Sequence, residues 1–286
     1  MANRILIQAP IDSSGAGRGE EHAPSALVAA GLLERIDVHA VVESDARIRD
    51  SSRDPATGVI GADQIRRAVE AIASDVRSAV GSGGTPLVVG GDCTLLLGVF
   101  LGVARPTALW FVDGHADFFD GETSQTGEAA DMDLAVLTGH GPPGLLPGVD
   151  PLVAPAAVAL LGHRPDDLGP GTATENGRID PDIFALTSVE IRRLGPRSVG
   201  EEVASRSSGP AWVHVDLDVL DERVLPAVSY PQSLGLDWRE LVELVQPLAA
   251  SPDLVGISVA DLNPDLDPDG RHARRTVDAL AQILVS

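Results

Sequence analysis

The sequence contains no lysine, so apart from histidine every basic side chain is an arginine. This absence excludes Schiff-base chemistry and the lysine of a phosphate-binding P-loop. Acidic residues outnumber basic ones by 42 to 21, which gives a formal net charge of -21. Such a charge repels nucleic acids and anionic membranes, and we therefore expect neither as a partner.

Cysteine is also nearly absent, since Cys93 is the only one in 286 residues. A single cysteine excludes a disulfide within the chain and is typical of a reducing compartment. The sequence has no run of about 18 apolar residues, and its first residues lack the apolar stretch of a signal peptide. We expect a soluble, cytoplasmic protein.

Short apolar runs rich in Val, Ile, Leu and Ala recur along the whole chain. Unbroken runs of this kind are typical of strands that are buried on both faces of a parallel sheet. Between them, residues 61–80, 237–248 and 273–285 have the apolar spacing of amphipathic helices. The alternation predicts an α/β fold, with helices on both faces of a mostly parallel sheet. The predicted strands are 4–9, 36–42, 87–89, 108–112, 158–161, 211–215 and 254–259.

Four polar segments rich in glycine and proline are the candidate linkers, at 50–57, 120–131, 141–151 and 166–180. None of them separates two apolar cores of domain size, and the sequence has no visible internal repeat. We therefore expect one domain over residues 1–286, a length that suffices for a large core.

Acidic residues stand directly after two of the predicted strands. Asp113, His115 and Asp117 follow one strand, and Asp216 and Asp218 follow another. Alternate residues of an extended chain point to the same side, and sites in parallel sheets form at the carboxyl ends of the strands. Each cluster alone is compatible with helix caps and turns, but both in this arrangement favour a cation site.

Carboxylates gathered at one edge of a sheet repel one another, and a divalent cation relieves that repulsion. A set of carboxylates with one imidazole suits Mn²⁺ or a similar ion better than a metal that prefers thiolates. The carboxylates are numerous enough to bridge two ions, which would supply a hydroxide as the nucleophile of a hydrolysis. The sequence therefore predicts a binuclear metal centre.

The order of three motifs resembles that of the ureohydrolases, the arginase and agmatinase family. That family has a Gly-Gly-Asp-His turn, then Asp-Ala-His-x-Asp, then Asp-x-Asp-x-x-Asp-Pro; the corresponding segments here are 90–93, 113–117 and 216–222. The resemblance covers nearly the whole chain. It implies a three-layer α-β-α sandwich with two Mn²⁺ ions, and a manganese-dependent amidinohydrolase that releases urea or a urea derivative from a guanidino substrate. It also implies a homo-oligomer, a trimer or a hexamer.

The resemblance also assigns roles to single residues. Asp113 and Asp216 would bridge the two ions, Asp117 would position the hydroxide, and Asp261 would bind the guanidinium in place of the family's glutamate. The full set of metal ligands implied in this way is Cys93, Asp113, His115, Asp117, Asp216 and Asp218.

Cys93 stands where the family has a metal-binding histidine. The residues alone leave three roles open for Cys93: a buried apolar side chain, a nucleophile or a metal ligand. A thiolate adds negative charge and favours Zn²⁺ or Fe²⁺ relative to Mn²⁺, so the first metal site is expected to be altered or weakened. A branch of the family with cysteine at this position hydrolyses N-hydroxyarginine, which adds that compound to the candidate substrates.

The substrate loop departs further from the family. The proton-shuttling histidine of arginase falls on Ala130, and Phe119 replaces an asparagine that binds the amino-acid end of the substrate. Glu128 or Asp131 would take over the proton transfer, unless both are solvated loop residues or the leaving group needs less help. The predicted substrate-binding residues are Thr126, Glu128, Asp131, Tyr230 and Asp261.

Two other functions are compatible with these departures. The first is a non-catalytic arginase-like protein that binds metal or a guanidino ligand, because a changed ligand and a lost shuttle are what such a protein would carry. The second is amide hydrolysis of the deacetylase type on a related fold. It is disfavoured because the paired-histidine base of those enzymes is not visible in this sequence.

Overall fold

The computed structural model describes residues 3–103, 106–146, 148, 151–207 and 209–285. Within them, eight strands form one sheet in the order β2-β1-β3-β8-β7-β4-β5-β6, and every pairing is parallel. The predicted α/β fold with a parallel central sheet is confirmed. The strands are β1 Arg4–Ala9, β2 Ala40–Glu43, β3 Thr85–Gly90, β4 Ala108–Val112, β5 Val158–Leu161, β6 Phe184–Leu186, β7 Ala211–Asp216 and β8 Leu254–Ala260.

Helices pack on both faces of this sheet. Alternate residues of β4 divide between two cores, since Phe111 packs on the side of α3 and α4 and Trp110 on the side of α8, α9 and α10. No helix in the described ranges is long and apolar enough to cross a membrane. The helices are α1 Ala23–Ala29, α2 Leu32–Arg35, α3 Ala62–Gly81, α4 Leu95–Val103, α5 Asp133–Leu137, α6 Pro170–Asn176, α7 Ser188–Leu194, α8 Pro196–Arg206, α9 Trp238–Ala249 and α10 Arg271–Leu284.

The three helices predicted from apolar spacing form close to the expected bounds. In α3 the stripe that includes Ile65, Ile72 and Val76 is buried, as the spacing requires. The start of α9 is fixed by a capping box, in which Asp237 and Glu240 each accept a hydrogen bond from the other's backbone N–H.

The strand predictions fail only at the edges of the sheet. β2 begins at Ala40 rather than at residue 36, because Ile36 ends α2 and is buried there outside the sheet. β6 was not predicted, since its three residues are half-buried and too few to give a pattern. Edge strands bury less apolar surface than central ones, and their sequence signal is correspondingly weaker.

Four adjacent central strands bring the candidate site together. In the order β3-β8-β7-β4, Val112 pairs with Val215, and Asp216 pairs with Ala260. The residues that follow these strands therefore emerge side by side at the carboxyl edge of the sheet. This register joins segments of the chain that are about a hundred residues apart.

Candidate active site

One pocket at this edge contains every residue that the sequence predicts for the site. Residues 113–117 and 216–218, which the sequence places apart, line the same cavity. The structure thus gathers them as expected, while their roles as ligands remain predictions. The predicted residues in its lining are Cys93, Asp113, His115, Asp117, Thr126, Glu128, Asp131, Asp216, Asp218, Tyr230 and Asp261.

The segment after β4 and the segment after β7 contact each other directly. His115 Nδ1 lies 2.7 Å from Asp218 Oδ2, and the backbone N–H of Gly114 donates to Asp218 Oδ1 at 3.1 Å. Ligand atoms of Asp113, His115 and Asp218 lie within 4.8 Å of one another, close enough to share one cation. Asp113 Oδ2 is buried without a hydrogen-bond partner among the described residues.

Two further groups of potential ligands share members with this one. Asp216 lies within 4.8 Å of both Asp218 and Asp261, and within the same distance of Asp113 and His214. Asp113, Asp216 and Asp218 therefore each belong to two of these overlapping groups, an arrangement that is compatible with bridging carboxylates. His214 remains neutral because burial lowers its pKa to about 3.

The surroundings of Cys93 differ from the predicted ligand set. The resemblance groups its sulfur with Asp113, Asp117 and Asp216, whereas the group whose ligand atoms all lie within 4.8 Å of one another consists of Cys93, Asp117 and Asp133. Cys93 Sγ lies 3.5 Å from Asp117 Oδ2 and donates to Ala130 O at 3.1 Å. Burial raises the pKa of the thiol, and Asp133 and Asp117 raise it further. The protonated thiol that results is unsuited to act as a nucleophile.

Burial and mutual repulsion dominate the electrostatics of the centre. Burial, followed by the charges of neighbouring carboxylates, raises the pKa of Asp113 and Asp216 well above the usual range. Burial also opposes ionisation of Asp218, but His115 and Arg164 outweigh it and lower the pKa of this residue. The fully buried Arg164 donates to the backbone carbonyls of Asp218 at 2.7 Å and Leu220 at 3.1 Å, which fixes the loop after β7.

Two of the predicted catalytic residues have a strained backbone. Among the described non-glycine residues, positive φ angles occur only at Asp117 (49°), Leu234 (66°) and Asp261 (68°). The left-handed conformation costs a non-glycine residue about 1–2 kcal/mol, and such strain is concentrated at functional sites. At Asp261 a hydrogen bond from its N–H to Gly91 O, 2.6 Å long, holds this conformation.

Three loops meet at the mouth of the pocket. Arg18 NH2 lies 2.7 Å from Glu128 Oε2, Arg18 NH1 donates to the Tyr230 hydroxyl at 2.9 Å, and that hydroxyl donates to Glu128 at 3.0 Å. Asp131 accepts hydrogen bonds from the hydroxyls of Ser124 and Thr126, each 2.6 Å long. The interpretation of Glu128 and Asp131 as solvated loop residues is therefore wrong.

Five charged residues of the site were not predicted from the sequence. Arg18, Glu20, Asp92 and Glu175 line the pocket, and Asp133 lies near the sulfur of Cys93. Arg18 lies in an irregular segment and Glu20 begins a 3-10 helix of only three residues, Glu20–His22, so no period indicates which of their side chains point inward. Asp133 opens α5, so its sequence position is that of an ordinary acidic residue in the first turn of a helix.

The residues present fit a divalent cation. Oxygens of Asp113, Asp133 and Asp261 are buried without hydrogen-bond partners in the described part of the chain, next to carboxylates of like charge. Unpaired buried charges of this kind are costly unless they coordinate metal. The donor set of oxygens with one or two imidazoles is the one expected for Mn²⁺, and the thiol is its one soft member.

Comparison with known proteins agrees with this geometry. The arginase family model matches residues 2–286. The arginase of Bacillus caldovelox is 32% identical over 294 residues, covering 97% of this chain and 96% of that protein. Its native structure superposes with a TM-score of 0.86 at 28% identity, over 100% of this chain and 99% of that one. A hypothetical agmatinase from Burkholderia thailandensis, with a TM-score of 0.73 at 19% identity over 99% of this chain and 85% of that one, shares the fold.

Proposed function

Because the chain belongs to the arginase family, we propose that it is a metal-dependent hydrolase that cleaves a C–N bond of a guanidino compound and releases urea or a urea derivative. The observation that carries this proposal is the meeting of residues 113–117 and 216–218 in one pocket with Asp261. The carboxylates there suit cations of two kinds, metal ions and the guanidinium group of a substrate.

Two Mn²⁺ ions are the proposed cofactor. Asp113, His115, Asp216 and Asp218 would hold one ion, and Cys93 and Asp117 would contribute to the other, with Asp113 and Asp216 bridging. The buried Oδ2 of Asp113, which has no hydrogen-bond partner among the described residues, supports the assignment. When bound, such ions supply the nucleophile and a Lewis acid for hydrolysis.

The remaining side chains of the pocket would orient the substrate and handle its protons. Asp261 accepts the N–H groups of the guanidinium, and its unpaired Oδ2 is available for this. The leaving amine requires a proton, and Ala130 cannot supply one. Burial raises the pKa of both Glu128 and Asp131, which makes these two carboxyl groups better proton donors near neutral pH.

The substrate is a guanidino compound in this proposal, with arginine and N-hydroxyarginine as the two leading members. Ala130 in place of the proton-shuttling histidine supports N-hydroxyarginine. An N-hydroxyguanidine is less basic than a guanidine, and its cleavage needs less proton transfer. Phe119 and Tyr230 in the pocket lining provide an apolar contact for the chain that joins the guanidine to the rest of the substrate.

Urea release from a panel of guanidino compounds tests the proposal. The Mn²⁺-loaded protein is assayed with arginine, N-hydroxyarginine and agmatine, and the metal content of the same sample is determined. We expect turnover of at least one compound. Bound metal without turnover of any of them would contradict the proposal and favour a non-catalytic arginase-like protein that binds a guanidino ligand.

A further inference from the structure

Glu20 is a carboxylate buried in the wall of the pocket, and it holds no turn or loop in place through a hydrogen bond among the described residues. Its side chain is 1% exposed, and neither carboxylate oxygen has a hydrogen-bond partner among the described residues. The nearest cation is Arg18, whose NH2 lies 3.9 Å from Glu20 Oε1 but only 2.7 Å from Glu128 Oε2. The unpaired oxygens of Glu20 therefore remain available to a ligand in the pocket.

The two acids beside Glu20 have structural partners, in contrast to Glu20 itself. Asp12 accepts hydrogen bonds from the backbone N–H groups of Ser14, Gly17 and Arg18. Asp92 accepts from the backbone N–H groups at positions 13 and 94. Both acids thus hold turns in place. Burial raises the pKa of Glu20 and Asp92 raises it further, while the charge of Arg18 at 3.9 Å opposes this rise only in part.

Gly91 lies against the backbones of both Glu20 and Asp261. Asp261 N–H donates to Gly91 O at 2.6 Å, and a Cβ atom on Gly91 would lie 3.2 Å from the carbonyl carbon of Glu20. The Asn263 side chain donates to Arg18 O at 3.0 Å, which ties the loop that carries Glu20 to the segment after β8. Both carboxylates line the pocket, and Asp261 Oδ2 is also unpartnered.

We propose that Glu20 and Asp261 together form a two-carboxylate subsite for the guanidinium end of the substrate. This inference rests on the proposed function and assigns Glu20 a role in substrate selection. A guanidinium is planar and presents N–H groups on several edges, so two carboxylates can each accept on a different edge. Neutral urea lacks the positive charge, and the subsite therefore binds the substrate more strongly than the product.

The chemistry of such a subsite predicts a separation between the kinetic constants. The carboxylates meet a charge that is present before the reaction begins, so their contribution is mainly to binding of the ground state. Hydrogen bonds to charged groups are worth about 1.5–3 kcal/mol, which corresponds to roughly 10- to 150-fold in affinity. Loss of Glu20 should therefore raise KM within that range and leave kcat largely unchanged.

The test compares Glu20→Gln with the wild type and with Glu21→Gln, all loaded with Mn²⁺. Glu21 is in the same loop but does not line the pocket, so its variant has the same change of charge without the proposed loss. We expect KM to rise roughly tenfold or more in Glu20→Gln alone. Guanidinium chloride at millimolar concentration should inhibit the wild type competitively and inhibit Glu20→Gln more weakly. Glu20→Asp should recover part of the affinity.

Each other outcome has a distinct meaning. Removal of a buried unpaired charge should leave the melting temperature of Glu20→Gln equal or higher, so a lower one would indicate a structural role and overturn the subsite. A loss of Mn²⁺ from Glu20→Gln would make the residue a metal ligand instead. Turnover by the wild type with an unchanged KM in Glu20→Gln would overturn the subsite alone. No turnover of any guanidino compound by metal-loaded wild type would overturn the proposed function together with the subsite.

Discussion

The sulfur of Cys93 lies near Asp117 and Asp133, and the raised pKa of the thiol means that a metal must displace its proton in order to bind. These surroundings of Cys93 could be predicted from the sequence only in part. The sequence singled out Cys93 as a candidate site residue, but it did not single out its neighbour Asp133. An acidic residue in the first turn of a helix is common for helix stability alone, so its position gave no indication of a site.

Replacing Cys93 by histidine should raise the Mn²⁺ occupancy of the first site. An imidazole is a harder donor than a thiolate, adds no negative charge to the carboxylate cluster and releases its proton near neutral pH. Elemental analysis after dialysis against Mn²⁺ measures the stoichiometry, with Cys93→Ser as the variant that removes sulfur without adding a ring. An unchanged metal content in Cys93→His would count against ligation through position 93.

Replacing Asp216 by asparagine should abolish activity and leave the sheet folded. The amide preserves the shape of the side chain, including the oxygen that accepts the Asp218 N–H at 2.9 Å, but it removes the charge that a bridging ligand needs. We expect kcat to fall by more than the ~100-fold typical of residues that only support metal ligands. Circular dichroism and urea release measure the two effects, and wild-type turnover would remove the bridging role.

At the level of elements, the central strands could be predicted and the loops could not. β4 is apolar throughout and β7 is apolar except for His214 and its terminal Asp216. Acids stand at alternate positions from the end of each strand, so the edge where they carry a site followed from their sequences. Arg18 and the 3-10 turn that begins at Glu20 follow a path that depends on contacts with Gly91 and Asn263, far away in the chain. Such contacts leave no periodic signal in the sequence.

The link between three loops at the pocket mouth should govern substrate binding more than stability. The ion pair between Arg18 and Glu128 is partly open to solvent, since the Arg18 side chain is one-third exposed. Exposed ion pairs contribute at most about 1 kcal/mol to the free energy of unfolding. In Glu128→Gln we therefore expect a change of less than about 1 kcal/mol in the free energy of unfolding, together with a clear change in KM. Urea denaturation and steady-state kinetics measure these quantities. A large loss of stability with unchanged KM would show that Glu128 only holds the loops together.

For the whole molecule, the single domain over residues 1–286, the trimeric or hexameric assembly and the cytoplasmic location remain predictions. The family and the fold are established, because the family model matches residues 2–286 and the central sheet is parallel, as predicted. The composition shows that acidic residues greatly outnumber basic ones. It could not indicate that so many of them surround one cavity, which depends on the order of the strands.

The gain in stability from Mn²⁺ should increase with pH. In the metal-free protein the pKa values of Asp113, Asp117 and Asp216 are raised, so the folded chain binds protons that the unfolded chain has released. Stability of the metal-free form therefore falls as pH rises above the pKa of an unfolded aspartate, about 4. Metal binds the deprotonated ligands and reverses this loss. The lowered pKa of Asp218 acts in the opposite direction, but it is one group against three.

Thermal melts with and without Mn²⁺ at pH 6 and pH 8 measure this effect. The difference in melting temperature between the loaded and metal-free protein should be larger at pH 8. An equal or smaller difference at the higher pH would mean that the acidic cluster does not titrate in competition with the metal.

The central claim is that residues 113–117 and 216–218 share metal ions, and a crystal structure of the Mn²⁺-soaked protein with anomalous scattering at the manganese edge tests it most directly. The account predicts two anomalous peaks per chain in the pocket, with the carboxylates of Asp113 and Asp216 each contacting both. Manganese bound by only one of the two segments, or no peak in the pocket at saturating Mn²⁺, would contradict it.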